Sequence, residues 1–228
     1  MIRSKPERLG EAHSFARGLN FYKLVWIVLI GSVLGVILEE LWCLVTQFRF
    51  QSRNGLIYGP FNLVYGFGAL IMTLGMYWLR NKRDLWIFVG GFVLGSAFEY
   101  LCSYVQEMVF GTVSWEYSDM PFNLNGRITL LYSFFWGVLG LLWIKDFYPR
   151  MSRWIERIPR SWGVPLTWAL IVFMLFNTAI SALAVNRQTQ RHEGHPPANQ
   201  FEVFLDGHYT DELLSWVYPN MTYVEDGS

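Results

Sequence analysis

The chain has 228 residues, 53% of them hydrophobic and only 16% charged, with eleven tryptophans and a formal net charge of zero. That is too apolar for an ordinary soluble domain, and the absence of a basic, aromatic-interleaved patch excludes nucleic acid as a partner. The two cysteines, Cys43 and Cys102, lie within apolar runs without metal-ligand or CxxC spacing, so they read as small, reduced and buried.

In chain order, residues 1–20 form a polar arm with Arg3, Lys5, Arg8 and Arg17 against Glu7 and Glu11, and without the apolar run of a removable signal peptide. Phe21 to about Phe48 is the first apolar run, interrupted only by Glu39 and Glu40. Roughly 20 apolar residues cross a bilayer core as a helix, so this run is long enough. A glycine-punctuated polar link follows over 49–59, then a second span from about Pro60 to Leu79, closed by Arg80-Asn-Lys-Arg83-Asp84. The third span extends from Leu85 to about Phe110, and a second polar link, 111–126, holds Trp115, Glu116, Tyr117 and Asp119. The fourth is Arg127 to Ile144. Residues 146–163 mix Arg150, Arg153, Arg157 and Arg160 with Phe147, Trp154 and Ile158, a pattern suited to an amphipathic segment on the membrane surface. A fifth span covers 164–185, and 186–228 is an acidic tail with Glu193, Glu202, Asp206, Asp211, Glu212, Glu225 and Asp226. The expected fold is therefore all-α: a polytopic membrane bundle of about five transmembrane helices.

Lysine and arginine cluster before span one, between spans two and three, and between spans four and five. The positive-inside rule then puts the amino terminus in the cytoplasm and the carboxyl terminus outside.

One unit occurs twice. Gly31-Ser-Val-Leu-Gly35-Val-Ile-Leu-Glu39 returns sixty positions on as Gly91-Phe-Val-Leu-Gly95-Ser-Ala-Phe-Glu99, and Pro60-Phe61-Asn62-Leu63 returns sixty-one positions on as Pro121-Phe122-Asn123-Leu124. Seven of fifteen positions agree between 31–45 and 91–105, including two glycines and a glutamate in step. Residues 21–84 and 85–145 thus read as two copies of a two-span repeat, inserted with the same orientation and related by an axis along the membrane normal. Within each copy, Gly31, Gly35, Glu39 and Cys43, or Gly91, Gly95, Glu99 and Ser103, lie four apart, so one helix face carries small residues and a carboxylate. Small stripes let helices approach closely in lipid, which holds the glutamate inside the bundle. A carboxylate at bilayer depth costs about 2.5–3.5 kcal/mol on insertion scales, so it needs a partner or a function. At about 1.5 Å per residue from Phe21, Glu39 lies roughly 27 Å along its helix, in the outer half, with Glu99 somewhat deeper.

Around these two acids the sequence supplies Asn62 and Asn123, which suit either helix capping or ligand contact. It also supplies Arg53, Tyr58, Asp119 and Arg127, which would build a polar chamber opening outward. Arg127 at a span end equally suits snorkelling, and Trp115 and Trp136 suit interface anchoring. Asn177 and Thr178 read as interhelical hydrogen-bond formers. The tail histidines His192, His195 and His208 are irregularly spaced for a metal, and no metal or other cofactor is expected.

The run Trp115-Glu-Tyr117-Ser118-x-x-Pro121-x-Asn123-x-x-Gly126-Arg127-Ile128, followed by Ser133-x-x-Trp136-Gly137, resembles the signature of the CmpB-type ABC transporter permease family of small bacterial multi-pass membrane proteins. Gly35-x-x-x-Glu39 and Gly59-Pro60-x-Asn62 fit that family's first half, so the resemblance spans about residues 24–146. Glu116 stands where an aspartate is expected, which keeps the charge. The resemblance implies membrane transport in a bacterial inner membrane. The chain has no Gly-x-x-x-x-Gly-Lys-[Ser/Thr] phosphate loop, so an ATPase would be a separate subunit. Three classes stay open: a transporter or permease subunit, with a homo-oligomer or an ATPase as partner; a membrane enzyme acting on a lipid-linked substrate; and a non-catalytic assembly partner. The enzyme reading is the weaker, since no histidine lies in the spans.

Overall fold

A computed structural model describes residues 14–223. Most of the expected amino-terminal arm, with Arg3, Lys5, Glu7, Arg8 and Glu11, lies outside the described residues, as do Glu225 and Asp226 of the tail.

The chain is a bundle of apolar helices. α1 (Phe21–Gln47) starts where the Asn20 side chain accepts from the Lys23 N–H at 2.9 Å, and stops where Phe48 turns left-handed at φ 54°. Its 27 residues make a rod of about 40 Å. α2 (Leu63–Met76) is capped by Asn62, whose side chain accepts from the Val64 N–H at 3.0 Å, and tightens into a 3-10 turn over Tyr77–Leu79. α3 (Asp84–Phe110) carries Asp84 against its positive amino end and closes on Gly111 at φ 62°. Two short ribbons follow: β1 (Thr112–Val113), and the hairpin of β2 (Asn123–Leu124) with β3 (Ile128–Thr129). Thr129 then caps α4 (Leu130–Leu142), which runs through a π-helical turn, Trp143–Phe147, into α5 (Tyr148–Glu156). α6 (Arg160–His192) has 33 residues. The chain turns back through α7 (Gln200–His208) and α8 (Asp211–Val217) to β4 (Thr222–Tyr223), which pairs antiparallel with β1.

Four helical stretches are long and apolar enough to cross a membrane: Phe21–Gln47, Asp84–Phe110, Leu130–Glu156 and Arg160–His192. The apolar helix Leu63–Leu79 is shorter, at the lower end of spanning length. Their outward faces are lined with exposed Leu, Val, Phe and Trp side chains, the surface a bilayer covers. This is a multi-pass membrane protein.

Packing follows the glycine stripes. A Cβ placed on Gly31 would come within 2.8 Å of the Ala69 side chain, and one on Gly91 within 2.8 Å of the Trp136 carbonyl oxygen and 3.1 Å of the Gly140 Cα. Gly35 lies under the Tyr65 ring and Gly95 under the Trp136 ring. α1 thus meets α2 as α3 meets α4, backbone nearly on backbone, with an aromatic ring over the second glycine of each stripe. Polar stitches cross between helices: Ser96 Oγ to Ser133 Oγ at 2.7 Å, Trp143 Nε1 to Thr73 Oγ1 at 2.9 Å, and Trp26 Nε1 to Thr167 Oγ1 at 2.8 Å.

Two regions carry structure that the sequence reading did not give. The amphipathic stretch within 146–163 extends α4 through the π turn and turns its apolar stripe, Tyr148, Met151 and Ile155, into a core shared with Phe15, Ile27 and Met76. Its spacing of three and four residues is what any buried helix face shows, so the pattern alone could not separate protein from lipid as the covering surface. The tail is also structured. Arg187, only 2% exposed, donates through Nε and Nη2 to both carboxylate oxygens of Asp206 at 2.9 Å, while Arg191 donates to Asp206 and Asp211 at 2.6 Å. Leu205, Tyr209 and Leu214 then pack on Ile180 and Ala184 of α6. The tail's acids answer the two arginines that end α6.

The Arg187 hydrogen bond, with a lesser one from Arg191 and the charges of both, holds the Asp206 carboxyl below its usual value, although burial, second in size to the Arg187 bond, opposes it. A carboxyl lowered in the folded state stabilises above its unfolded value and loses that contribution as pH falls through the folded one. The docking of 200–217 on α6 should therefore be constant from neutral pH down to about pH 4 and loosen only below it. Resistance of this segment to an acid-active protease, followed against pH, measures this; loosening already at pH 6 would contradict the assignment.

Candidate functional site

The helix ends that carry the two links and the tail enclose a cavity of about 790 Å³, and both Glu39 and Glu99 line it. Arg53 and Asn62 line it too, together with α6 at Ser181 and the tail at Tyr218–Met221. The tail is fixed over the cavity by the β1–β4 pairing, by Ser52 Oγ donating to the Val217 carbonyl at 3.0 Å, and by Gln51 Nε2 donating to Asn220 Oδ1 at 2.7 Å.

The two glutamates occupy unequal settings. Glu39 faces the Arg53 guanidinium at 3.3 Å and keeps about a third of its side chain exposed. Arg53 also donates to Cys43 Sγ at 2.8 Å, one turn further along α1, and its carbonyl accepts from Asn62 Nδ2 at 3.1 Å. Asn62 thereby caps α2 and pins the arginine's backbone in one geometry. Glu99 is 9% exposed and has neutral donors: Trp136 Nε1 at 2.7 Å on one oxygen and the Tyr117 hydroxyl at 3.1 Å on the other. Tyr117 stacks on Tyr132, ring centres 4.8 Å apart. Burial, and after it the Glu99 charge, pushes the Tyr117 phenol far above its ordinary value, so it stays a donor throughout the physiological range.

The other four candidates sit elsewhere. Arg127 turns from the cavity to Glu107 at 2.6 Å and Ser103 Oγ at 3.2 Å, with the Tyr100 and Tyr104 rings at 5.7 and 5.5 Å. Asn123 holds the hairpin, donating to the Ser118 and Met120 carbonyls and accepting from the Gly126 N–H at 3.0 Å. Asp119 is exposed in the turn before it. Tyr58 points to the tail, its hydroxyl 2.8 Å from that of Tyr209, and Asn177 of α6 clamps its peptide from both sides at 3.1 and 2.7 Å. The two Pro-Phe-Asn motifs therefore do different work. The helix residues that meet the stripes, Tyr65-Gly66 and Trp136-Gly137, stand seventy-one apart rather than sixty-one, because the second link is longer and spends its motif on a hairpin.

Sequence reasoning missed Trp136, Tyr117 and Tyr132 as site residues. Trp136 and Tyr117 lie inside the quoted motif, but a tryptophan in an apolar helix reads as an interface anchor until its N–H is seen to meet a carboxylate. Among the described residues, no group of three or more His, Cys, Asp or Glu is arranged to hold a metal ion.

A family profile described as "Putative ABC-transporter type IV" matches residues 26–182. The chain belongs to this family. The match of this ABC-transporter-type profile runs beyond the motifs quoted above and takes in most of the apolar length of α6, the helix that supplies Ser181 to the cavity wall. No curated protein and no solved structure matches the chain.

Proposed function

We propose that this protein is the membrane-embedded subunit of an ABC-type transporter, working with a separate ATPase chain, and that its cavity is the substrate chamber. One observation carries the reading: one cavity lined by the carboxylates of two similarly packed helix pairs, Glu99 buried and Glu39 half-buried. Intramembrane carboxylates facing a cavity mark substrate or ion pathways far more often than packing. The glycine contacts of α1 with α2 and of α3 with α4 support a duplicated unit, and substrate sites of repeat-built transporters lie between the repeats. Arg80, Lys82, Arg83, Lys145, Arg150, Arg153 and Arg157 fall at the end opposite the cavity, which under the positive-inside rule makes the chamber outward-facing in a bacterial inner membrane, with the carboxyl terminus outside.

The test is flux in proteoliposomes holding the chain and its ATPase. Glu99→Gln should lower transport at least tenfold while the protein stays folded, and Glu39→Gln should lower it less, because its partner Arg53 remains to be satisfied by Cys43 and Gln51. Wild-type flux from both variants would end the proposal. The unequal settings of Glu39 and Glu99 favour one second reading, a membrane enzyme in which a single glutamate acts as base on a lipid-linked substrate. Turnover of such a substrate in detergent, without ATPase or gradient, would decide for it.

A further inference from the structure

We propose that the chamber binds a small organic cation of the ammonium class, with Glu99 as its counter-ion and the rings of Trp136, Tyr117 and Tyr132 as its walls. The inference rests on the reading of the cavity as a substrate chamber and names what enters it.

Charge comes first. The cavity wall holds three carboxylates, Glu39, Glu99 and Glu116, against one guanidinium, Arg53. That guanidinium is already engaged by Glu39, Cys43 Sγ and Gln51 Oε1. Arg127, which the second link brings close to the α3 end that carries Glu99, is held by Glu107 away from the cavity. Among the described residues, Glu99 is therefore buried with two neutral donors and no cation beside it. A buried carboxylate in that condition attracts a positive charge strongly, because the surroundings screen poorly. An anionic ligand would meet the opposite field.

The walls then select among cations. A small inorganic ion such as Mg²⁺ or Ca²⁺ needs six or more oxygen ligands to replace its water shell. Around Glu99 the structure offers ring faces and edges: the Trp136 indole over Gly95, and the Tyr117–Tyr132 stack. Ring faces attract weakly hydrated organic cations and are the recurring walls of quaternary ammonium sites. A proton alone would need no such room, whereas about 790 Å³ accommodates a whole small molecule. Donation from Trp136 Nε1 and the Tyr117 hydroxyl fixes the carboxylate and the rings relative to each other, so the pocket is organised before a ligand arrives.

Binding is measured on the full chain in detergent, by intrinsic tryptophan fluorescence and by thermal melting, with tetramethylammonium and choline chloride against sodium and potassium chloride at equal ionic strength. Saturable binding of the two ammonium ions, at least tenfold tighter than of either alkali ion, is expected. Glu99→Gln should weaken it at least tenfold. Tyr132→Leu, which leaves the carboxylate and its two donors in place, should weaken ammonium binding three- to tenfold and leave the response to sodium unchanged. Equal binding of alkali and ammonium ions, no ammonium binding by a folded wild-type chain, or ammonium binding unaffected by Glu99→Gln would each overturn the inference. Glu99-dependent transport of an anionic or neutral solute would overturn it too, while leaving the transporter reading intact. Ammonium binding without any flux would uphold it and count against transport instead.

Discussion

Gly91→Val is expected to yield no folded protein. A Cβ at Gly91 would sit 2.8 Å from the Trp136 carbonyl oxygen and 3.1 Å from the Gly140 Cα, so the obstacle is backbone, which cannot rotate aside as a side chain does. Alanine alone forces α3 and α4 apart and should cost about 3 kcal/mol, the upper part of the usual overpacking range. Valine adds two more methyl groups to the same closed space. In lipid there is no hydrophobic drive between helices to compensate, so loss of close contact is loss of the association itself. The same movement would carry the Trp136 indole away from Glu99, coupling the packing of the helix pair to the site. Gly207→Ala in α7 is the matched control: nothing lies within 4 Å of its Cβ position, and the change should be neutral or stabilise by about 0.5–1 kcal/mol. Recovery of a monodisperse species and its melting temperature in detergent report both. A Gly91→Val protein that melts like wild type would contradict the account of the stripe.

The spacing that makes Gly91 critical was visible in the sequence for the same reason it matters in the fold. Four-residue intervals of glycine and glutamate map directly onto one helix face, and long apolar runs map onto spans, so the helical architecture and the convergence of Glu39, Glu99, Arg53 and Asn62 on one cavity could be anticipated. What depends on loop geometry could not. Asn123 and Asn62 are alike in their motifs, yet one holds a hairpin and the other caps a helix, because the second link is longer and includes left-handed residues at Phe122, Asn125 and Gly126. Arg127 falls beside the site in sequence, but Glu107, about six turns along α3 from its start, takes it. The acidity of the tail likewise gave no sign that Asp206 and Asp211 would find Arg187 and Arg191, since that pairing depends on how far α6 continues before the chain turns. The inequality of the two glutamates follows from these same links. Two similar helix faces supply two similar acids, while the dissimilar connections supply a cation to one and neutral donors to the other.

At the far end of the bundle a second charged pair makes a sharper energetic prediction. Lys23 lies three residues into α1 with 0% of its surface exposed, and its ammonium is held by Ser152 Oγ at 2.5 Å and by the Glu156 carboxylate at the end of α5. Glu156 keeps 36% of its side chain exposed, so the two partners do not lose equally when the pair is broken. Glu156→Gln strands a fully buried ammonium with neutral contacts and should destabilise by about 3–5 kcal/mol. Lys23→Met removes the buried charge, and the remaining carboxylate has water within reach, so about 1 kcal/mol is expected. In the double variant no buried charge is left, and methionine fills much of the space of the lysine stem. Its stability should lie close to that of Lys23→Met and well above that of Glu156→Gln. The double-mutant cycle, read by thermal melting in detergent, should therefore give a coupling of about 3–5 kcal/mol, beyond the range of exposed ion pairs. Additive losses would mean that the ammonium reaches water, and that the contact joining α1 to α5 rests on the apolar stripe of Tyr148, Met151 and Ile155 alone.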